Sequence, residues 1–272
     1  MSVVVIAALS LVATAASVPV MSALARTWRL DRPNFKGTQI PTGFGFLIVL
    51  AAVPIYAAML FTGAPAVLAG VYLAAVVGFG MLGLLDDIHG TREVGGFRGH
   101  LSLLRKGKVS TGLIKAVGGG ILGLCLGAAI AGFDPATGLL NGVLISLAAN
   151  TLNLLDLRPG RAVSCFWAGI LAVAVTHFRA QSDWWEVIPV MIPAAWLTVL
   201  DRSARIMLGD AGSNVLGAVL GVALACSLES PAKLLIVLFM IGVNVYSEKY
   251  SISRLIEGNR LLRSVDRLLG VR

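Results

Sequence analysis

Nine long apolar runs constrain this chain more than any other feature. They cover about residues 2–25, 43–61, 64–85, 113–132, 138–155, 162–178, 185–200, 213–228 and 231–247, with short outer connections and longer, polar inner ones between them. Each run is continuous and of helix length, unlike the short alternating segments of a membrane strand barrel. Inside lipid every backbone polar group must find its partner within the protein, which leaves helices for runs of this kind. Charged residues make up 13% of the chain, about half the ~25% usual in soluble domains. The expectation is an all-α, polytopic transmembrane helical bundle of about nine spans, forming one integral-membrane domain over residues 1–272. Several runs are short for a bilayer that needs about 20 residues, so the fifth and eighth are expected to draw on polar termini.

Charge placement orients the bundle. With the N-terminus outside, the inner segments are 26–42, 86–115, 156–161, 201–212 and the tail from 248, and they hold 20 of the 22 Lys and Arg residues. Arg179 and Lys233 are the exceptions. This asymmetry follows the positive-inside rule and places the C-terminus in the cytoplasm, in a cell (plasma) membrane protein. It also accounts for the net charge of +8 without nucleic acid. The first run lacks a basic stretch before it and has Arg26, Arg29 and Arg32 after it, so it reads as a span and not as a cleaved signal. The tail 247–272 alternates Ile252, Leu255, Ile256, Leu262 and Val265 with arginines, which predicts an amphipathic cytoplasmic helix lying on anionic lipid or on the bundle.

The glycines point to close helix packing. Gly119, Gly123 and Gly127 are four apart, as are Gly217 and Gly221, a small-xxx-small pattern. Cys125, Cys165 and Cys226 lack metal-type spacing and read as small core residues. The three histidines, His89, His100 and His177, form no zinc-ligand pair.

Chemistry is expected where apolar runs meet the inner interface. Asn150, Asn153 and Asp156 recur every third residue, which puts them on one broad helix face, and Pro159-Gly160 ends that helix. Asp86 and Asp87 end the third run, Asp156 the fifth, and Asp210 opens the eighth. Any one of these carboxylates could be a helix cap. Four at one depth favour a shared site, and packed carboxylates need a cation. Hard oxygen ligands suit Mg²⁺, held by one or two carboxylates plus substrate phosphates. Gly209 and Gly212 beside Asp210 allow close backbone approach, and with Ser213 they begin a helix whose N-terminus favours anions. Lys115 stands at the mouth of the fourth run, after a loop bearing Arg92, Arg98, Arg105, Lys106 and Lys108. Together these parts suggest phosphate chemistry at a membrane surface, with one lipid-borne reactant.

Four motifs resemble the polyprenyl-phosphate N-acetylhexosamine-1-phosphate transferases, the MraY/WecA-type family (glycosyltransferase family 4). They are Lys36–Gly45 with its Pro-Thr-Gly, Leu84–Asp87 with Asp-Asp, Asn150–Asp156 as Asn-x-x-Asn-x-x-Asp, and Leu208–Gly217 with Gly-Asp-x-Gly-Ser. They occur in the family's order, and the similarity covers roughly residues 20–225. The resemblance implies transfer of a sugar-1-phosphate from a nucleotide-sugar to polyprenyl phosphate. It assigns Asp86 and Asp87 to the acidic catalytic pair and Asp156 and Asp210 to Mg²⁺. It assigns Asn150, Asn153, Lys115, Thr42 and Ser213 to substrate binding, and leaves a homodimer open.

The chain also departs from the family pattern. Pro159 stands where a second carboxylate is usual, and Gly90 where a lysine often follows the acidic pair. The later loop with clustered histidines is absent, as no histidine follows His177. Arg158 and Arg161 are the candidates for the missing diphosphate contacts, since guanidinium pairs phosphate bidentately. The alternatives are a non-catalytic relative acting as a membrane scaffold or prenyl-phosphate binder, and a transporter.

Overall fold

The computed structural model describes residues 1–62, 66–90, 109–180 and 185–269. The basic residues Arg92 to Lys108, His100 and the connection at 181–184 lie outside the described residues.

The bundle consists of α1 (Val3–Thr27), α2 (Leu47–Phe61), α3 (Ala66–His89), α4 (Thr111–Ile130), α5 (Pro135–Leu155), α6 (Arg161–Ala180), α7 (Ile188–Arg202), α8 (Gly209–Ser227) and α9 (Ser230–Ser247). Two short helices follow, α10 (Ile252–Gly258) and α11 (Arg260–Leu268). Eight of the described helices are long and apolar enough to cross a membrane. The remaining expected run, 185–200, forms α7, which at 15 residues rises only about 22 Å. A 3₁₀ turn, Trp185–Val187, runs directly into it.

Helix starts follow local chemistry. The Ser110 hydroxyl accepts from the Leu113 N–H at 3.2 Å to open α4. Asp134 accepts from the Thr137 N–H at 2.8 Å to open α5, with Pro135 at the first position, where a missing N–H costs nothing.

The axis of the bundle is α8. Residues 211–225 are all buried, and such a helix, covered on every side, sits at a core. It packs against α3, α5 and α6. Small residues permit the approach: a Cβ on Gly217 would stand 2.4 Å from the Ala148 carbonyl, and one on Gly221 2.7 Å from the Ile145 Cα. The α4–α5 contact is built the same way, since a Cβ on Gly127 would lie 2.3 Å from the Gly142 nitrogen. Gly119 faces the Phe79 ring instead.

Three features differ from the sequence expectation. The first inner segment holds a small antiparallel hairpin, Asp31–Pro33 paired with Gln39–Pro41. Asn34 Oδ1 closes its turn by accepting from the Lys36 and Thr38 N–H groups at 2.8 and 3.0 Å, a local bond that competes with helix. The tail is not one helix but two, because Asn259 caps α11 through the Leu261 and Leu262 N–H groups. The cysteines are not core residues: Cys125 and Cys226 lie on the bundle surface and Cys165 is half-buried. A small apolar side chain suits a lipid-facing exterior as well as a core.

Candidate functional site

The candidate site forms where α8 begins. Gly209 has φ +71, a left-handed conformation open to glycine, and it turns the chain into the helix. Two free N–H groups result, and Asp87 from the end of α3 satisfies both. Its Oδ1 accepts from the Asp210 N–H at 3.0 Å and its Oδ2 from the Ala211 N–H at 2.9 Å. Gly43, also left-handed at φ +64, lies against this junction; a Cβ there would meet Asp87 Oδ2 at 2.9 Å. The Pro41–Gly45 segment is laced to residues 207–208. The Met207 N–H donates to the Pro41 carbonyl (2.8 Å), and the Phe44 and Gly45 N–H groups donate to the Met207 and Leu208 carbonyls (3.2 and 2.9 Å). Thr42 sits within this segment, its N–H donating to the Leu30 carbonyl at 2.9 Å.

On the other side of Asp210, Lys115 reaches in from the first turn of α4. Its ammonium donates to Asp86 Oδ2 at 3.0 Å and also to Asp210 Oδ2. Thr111, one turn earlier, donates to Asp86 Oδ1 at 2.5 Å. Asn153, near the end of α5, completes the group. With its amide turned so that both ends are satisfied, it donates to Asp210 Oδ1 (3.1 Å) and Ser213 Oγ (3.0 Å) and accepts from Lys115 Nζ (3.1 Å). Four segments far apart in sequence thus meet within hydrogen-bond distance of one another.

Asp156 terminates α5, its N–H donating to the Asn153 carbonyl at 3.1 Å. Burial, and then the charges of Asp201, Asp210 and Asp87, push its carboxyl well above the ordinary carboxylate range, against a lowering contact from the Gly209 N–H. Asp201, near the end of α7, is buried and accepts from the Gly160 N–H at 2.7 Å. It ties the α5–α6 turn to the end of α7.

A divalent cation can be tested against this donor set. Asp87 has both oxygens on backbone N–H groups, and Asp201 is engaged by Gly160. Asp210 already accepts from Lys115 and Asn153 on its two oxygens, so a cation there would have to share or displace those donors, while Asp156 lies in the field of Asp201, Asp210 and Asp87. Carboxylate oxygens are the kind of donor Mg²⁺ takes, with substrate phosphates completing the shell. Among the described residues no three His, Cys, Asp or Glu side chains form a metal-holding group, so these residues alone would not complete the shell.

Other expected site residues lie elsewhere. Asn150 turns away from the carboxylates and donates to Asn244 Oδ1 on α9, while Asn244 donates to Thr151 Oγ1 at 3.0 Å. Residues three apart on a helix are rotated by about 60°, and here that separates Asn150 from Asn153. Arg158 pairs with Glu257 at 3.1 Å, its guanidinium 5.6 Å from the Phe35 ring centre. Arg161 is 3% exposed and pairs bidentately with Asp266 at 3.0 and 2.8 Å, with a third bond to Ser253 Oγ at 3.1 Å. Both guanidinium groups, expected on a diphosphate, face the carboxylates of the tail in this structure.

Sequence reasoning missed Thr111, Asn244 and the role of Asp201. Asn244 had a signal, since an amide inside an apolar run defaults to a polar role. Thr111 had none. The chain matches no model of a known protein family and no curated protein.

Proposed function

We propose that this chain is a Mg²⁺-dependent phosphoglycosyl transferase. It moves a sugar-1-phosphate from a nucleotide-sugar, UDP-linked, to polyprenyl phosphate at the cytoplasmic face of the plasma membrane, in cell-envelope glycan synthesis. The carrying observation is that three of the four motif segments, with Lys115 from the start of α4, converge as Asp86, Asn153 and Asp210. On the same reading the bundle has nine spans, α7 being the short one, with the N-terminus outside and the tail in the cytoplasm.

Each residue then has a role. The lipid phosphate oxygen attacks the sugar-bearing phosphorus of the donor. The new P–O bond forms as the bond to the nucleoside monophosphate breaks, and that group leaves with the electron pair. A proton carried by the attacking phosphate passes to Asp86, which faces the site while its neighbour Asp87 holds the α8 junction. Lys115, poised between Asp86 and Asp210, orients the phosphate and offsets its charge. Asn153 and Ser213 orient the donor. Bound at Asp156 and Asp210, Mg²⁺ supplies neutralisation of the donor diphosphate.

The test gives purified protein polyprenyl phosphate, Mg²⁺ and a panel of UDP-sugars, and measures released nucleoside monophosphate. Asp86→Asn is expected to cut turnover by roughly 10²–10⁴-fold while lipid binding holds. No release with any donor, joined to full cellular function of the Asp86, Asp156 and Asp210 variants, would overturn the reading.

A scaffold or prenyl-phosphate binder is the second reading. It is favoured by the engagement of Arg158 and Arg161 with the tail, which in this conformation withholds both guanidinium groups from a donor diphosphate. It predicts lipid binding without turnover.

A further inference from the structure

We infer that α11 is a docking helix for the anionic bilayer surface, pinned to the bundle by the Asp266–Arg161 pair. The proposal does not depend on the transferase reading.

Leu261, Leu262, Val265 and Leu268 fall on one side at 100° per residue. All four are exposed, Leu261 at 72% and Leu268 at 85%. Arg260, Ser264 and Arg267 lie opposite. Arg263 and Asp266, at the flank, are the partly covered residues, and Asp266 is the one that grips Arg161. The bundle therefore holds this helix by an edge and leaves its apolar face outward.

Position identifies what meets that face. Ser247 ends α9, a helix long and apolar enough to span. Four residues, 248–251, lead to α10, a reach of at most about 14 Å. At the far end, Asp266 is bonded to Arg161, the first residue of another such helix. Both ends of the tail are thus held at the level where two spanning helices leave the membrane. An exposed apolar face beside a basic one, at that level, has the chemistry of an interfacial helix. The single carboxylate of α11 is neutralised by Arg161, so the arginines dominate its field. A helix about 10 Å across keeps them near one Debye length, about 8 Å, of the headgroups. Each such arginine strengthens association with an anionic surface about five-fold.

The test uses the full chain in nanodiscs, with Cys125, Cys165 and Cys226 replaced by alanine. Single Leu268→Cys, Val265→Cys and Ser264→Cys variants are labelled with a water-soluble maleimide. Discs contain phosphatidylcholine alone or with one part in three phosphatidylglycerol. Labelling of Leu268→Cys and Val265→Cys is expected to slow on the order of 10-fold in the anionic discs, with Ser264→Cys fast in both. Arg260→Gln with Arg267→Gln should abolish the lipid dependence. Tryptic cleavage of the unsubstituted tail, slower in anionic discs, checks the result without cysteine variants. Equal rates in both lipids would overturn the proposal. So would protection independent of lipid charge, which indicates a protein partner or a second copy, and so would equal protection of Ser264→Cys.

Discussion

Asp86 and Asp87 are neighbours in sequence and opposites in environment. Asp86 meets a threonine and an ammonium; Asp87 meets two backbone N–H groups that start α8. Asp87→Asn replaces one acceptor oxygen with a donor against an N–H, at about 1–3 kcal/mol for a buried unsatisfied group. The expected outcome is a melting midpoint several degrees lower, while Asp86→Asn shows the larger loss in turnover and the smaller in stability; paired melting and activity assays check this. Asp156 yields a pH prediction. Its folded carboxyl is raised by burial and by neighbouring carboxylates, so protons bind the folded state more tightly than the unfolded one. The resulting stability is full below the ordinary carboxylate value and is lost as pH rises toward the folded value. In chelator, the unfolding midpoint should therefore fall as pH rises above the ordinary carboxylate range. Asp156→Asn should flatten that slope, and Mg²⁺ should raise the midpoint of the unsubstituted protein more than that of the variant. An unchanged slope in Asp156→Asn would assign the pH dependence to another group.

At the scale of elements, glycine sets how near the helices come. The backbones of α4 and α5 touch at Gly127 and Gly142, so Gly127→Leu must push them apart. Overpacking of this kind costs typically 1–3 kcal/mol. Gly120 lies on the same helix, and a Cβ added there would have nothing within 4 Å, so Gly120→Leu should be nearly silent. The contrast is read from thermal midpoints and yield in detergent. Similar losses from both would mean that the close approach at Gly127 is not what the substitution disturbs, since helix propensity alone favours leucine over glycine. The glycine spacing was legible in the sequence because a four-residue period is a property of one helix. Which glycines found a partner backbone was not, and Gly119 met an aromatic ring instead.

Across the whole molecule, the helix ends bearing Asp87, Lys115, Asn153, Asp156, Asp201 and Asp210 gather in one region. Cysteine-accessibility labelling from outside intact cells should therefore modify Ala136→Cys and spare Lys36→Cys, which becomes reactive once the membrane is opened. The reverse pattern would sink the inner-face reading of the site.

The sequence by itself determined the class of molecule. Helix-length apolar runs admit few other folds in lipid, and the excess of arginine and lysine in alternate connections needs no tertiary information to be seen. It also marked Asp86, Asp87, Asp156 and Asp210, because carboxylates at the ends of apolar runs are costly enough to stand out. Tertiary structure decided their division of labour. Asp87 became a helix cap and Asp86 the partner of Thr111 and Lys115, according to which N–H, hydroxyl and ammonium groups came to face them. Asn150 and Asn153 parted because neighbouring helices approach α5 from different directions. Arg158 and Arg161 were read as anion binders from their type and place, yet their partners arrive with residues 257 and 266, about 100 positions later. Hydropathy and spacing act within one segment, whereas a charge pair is fixed by whatever the fold brings beside it.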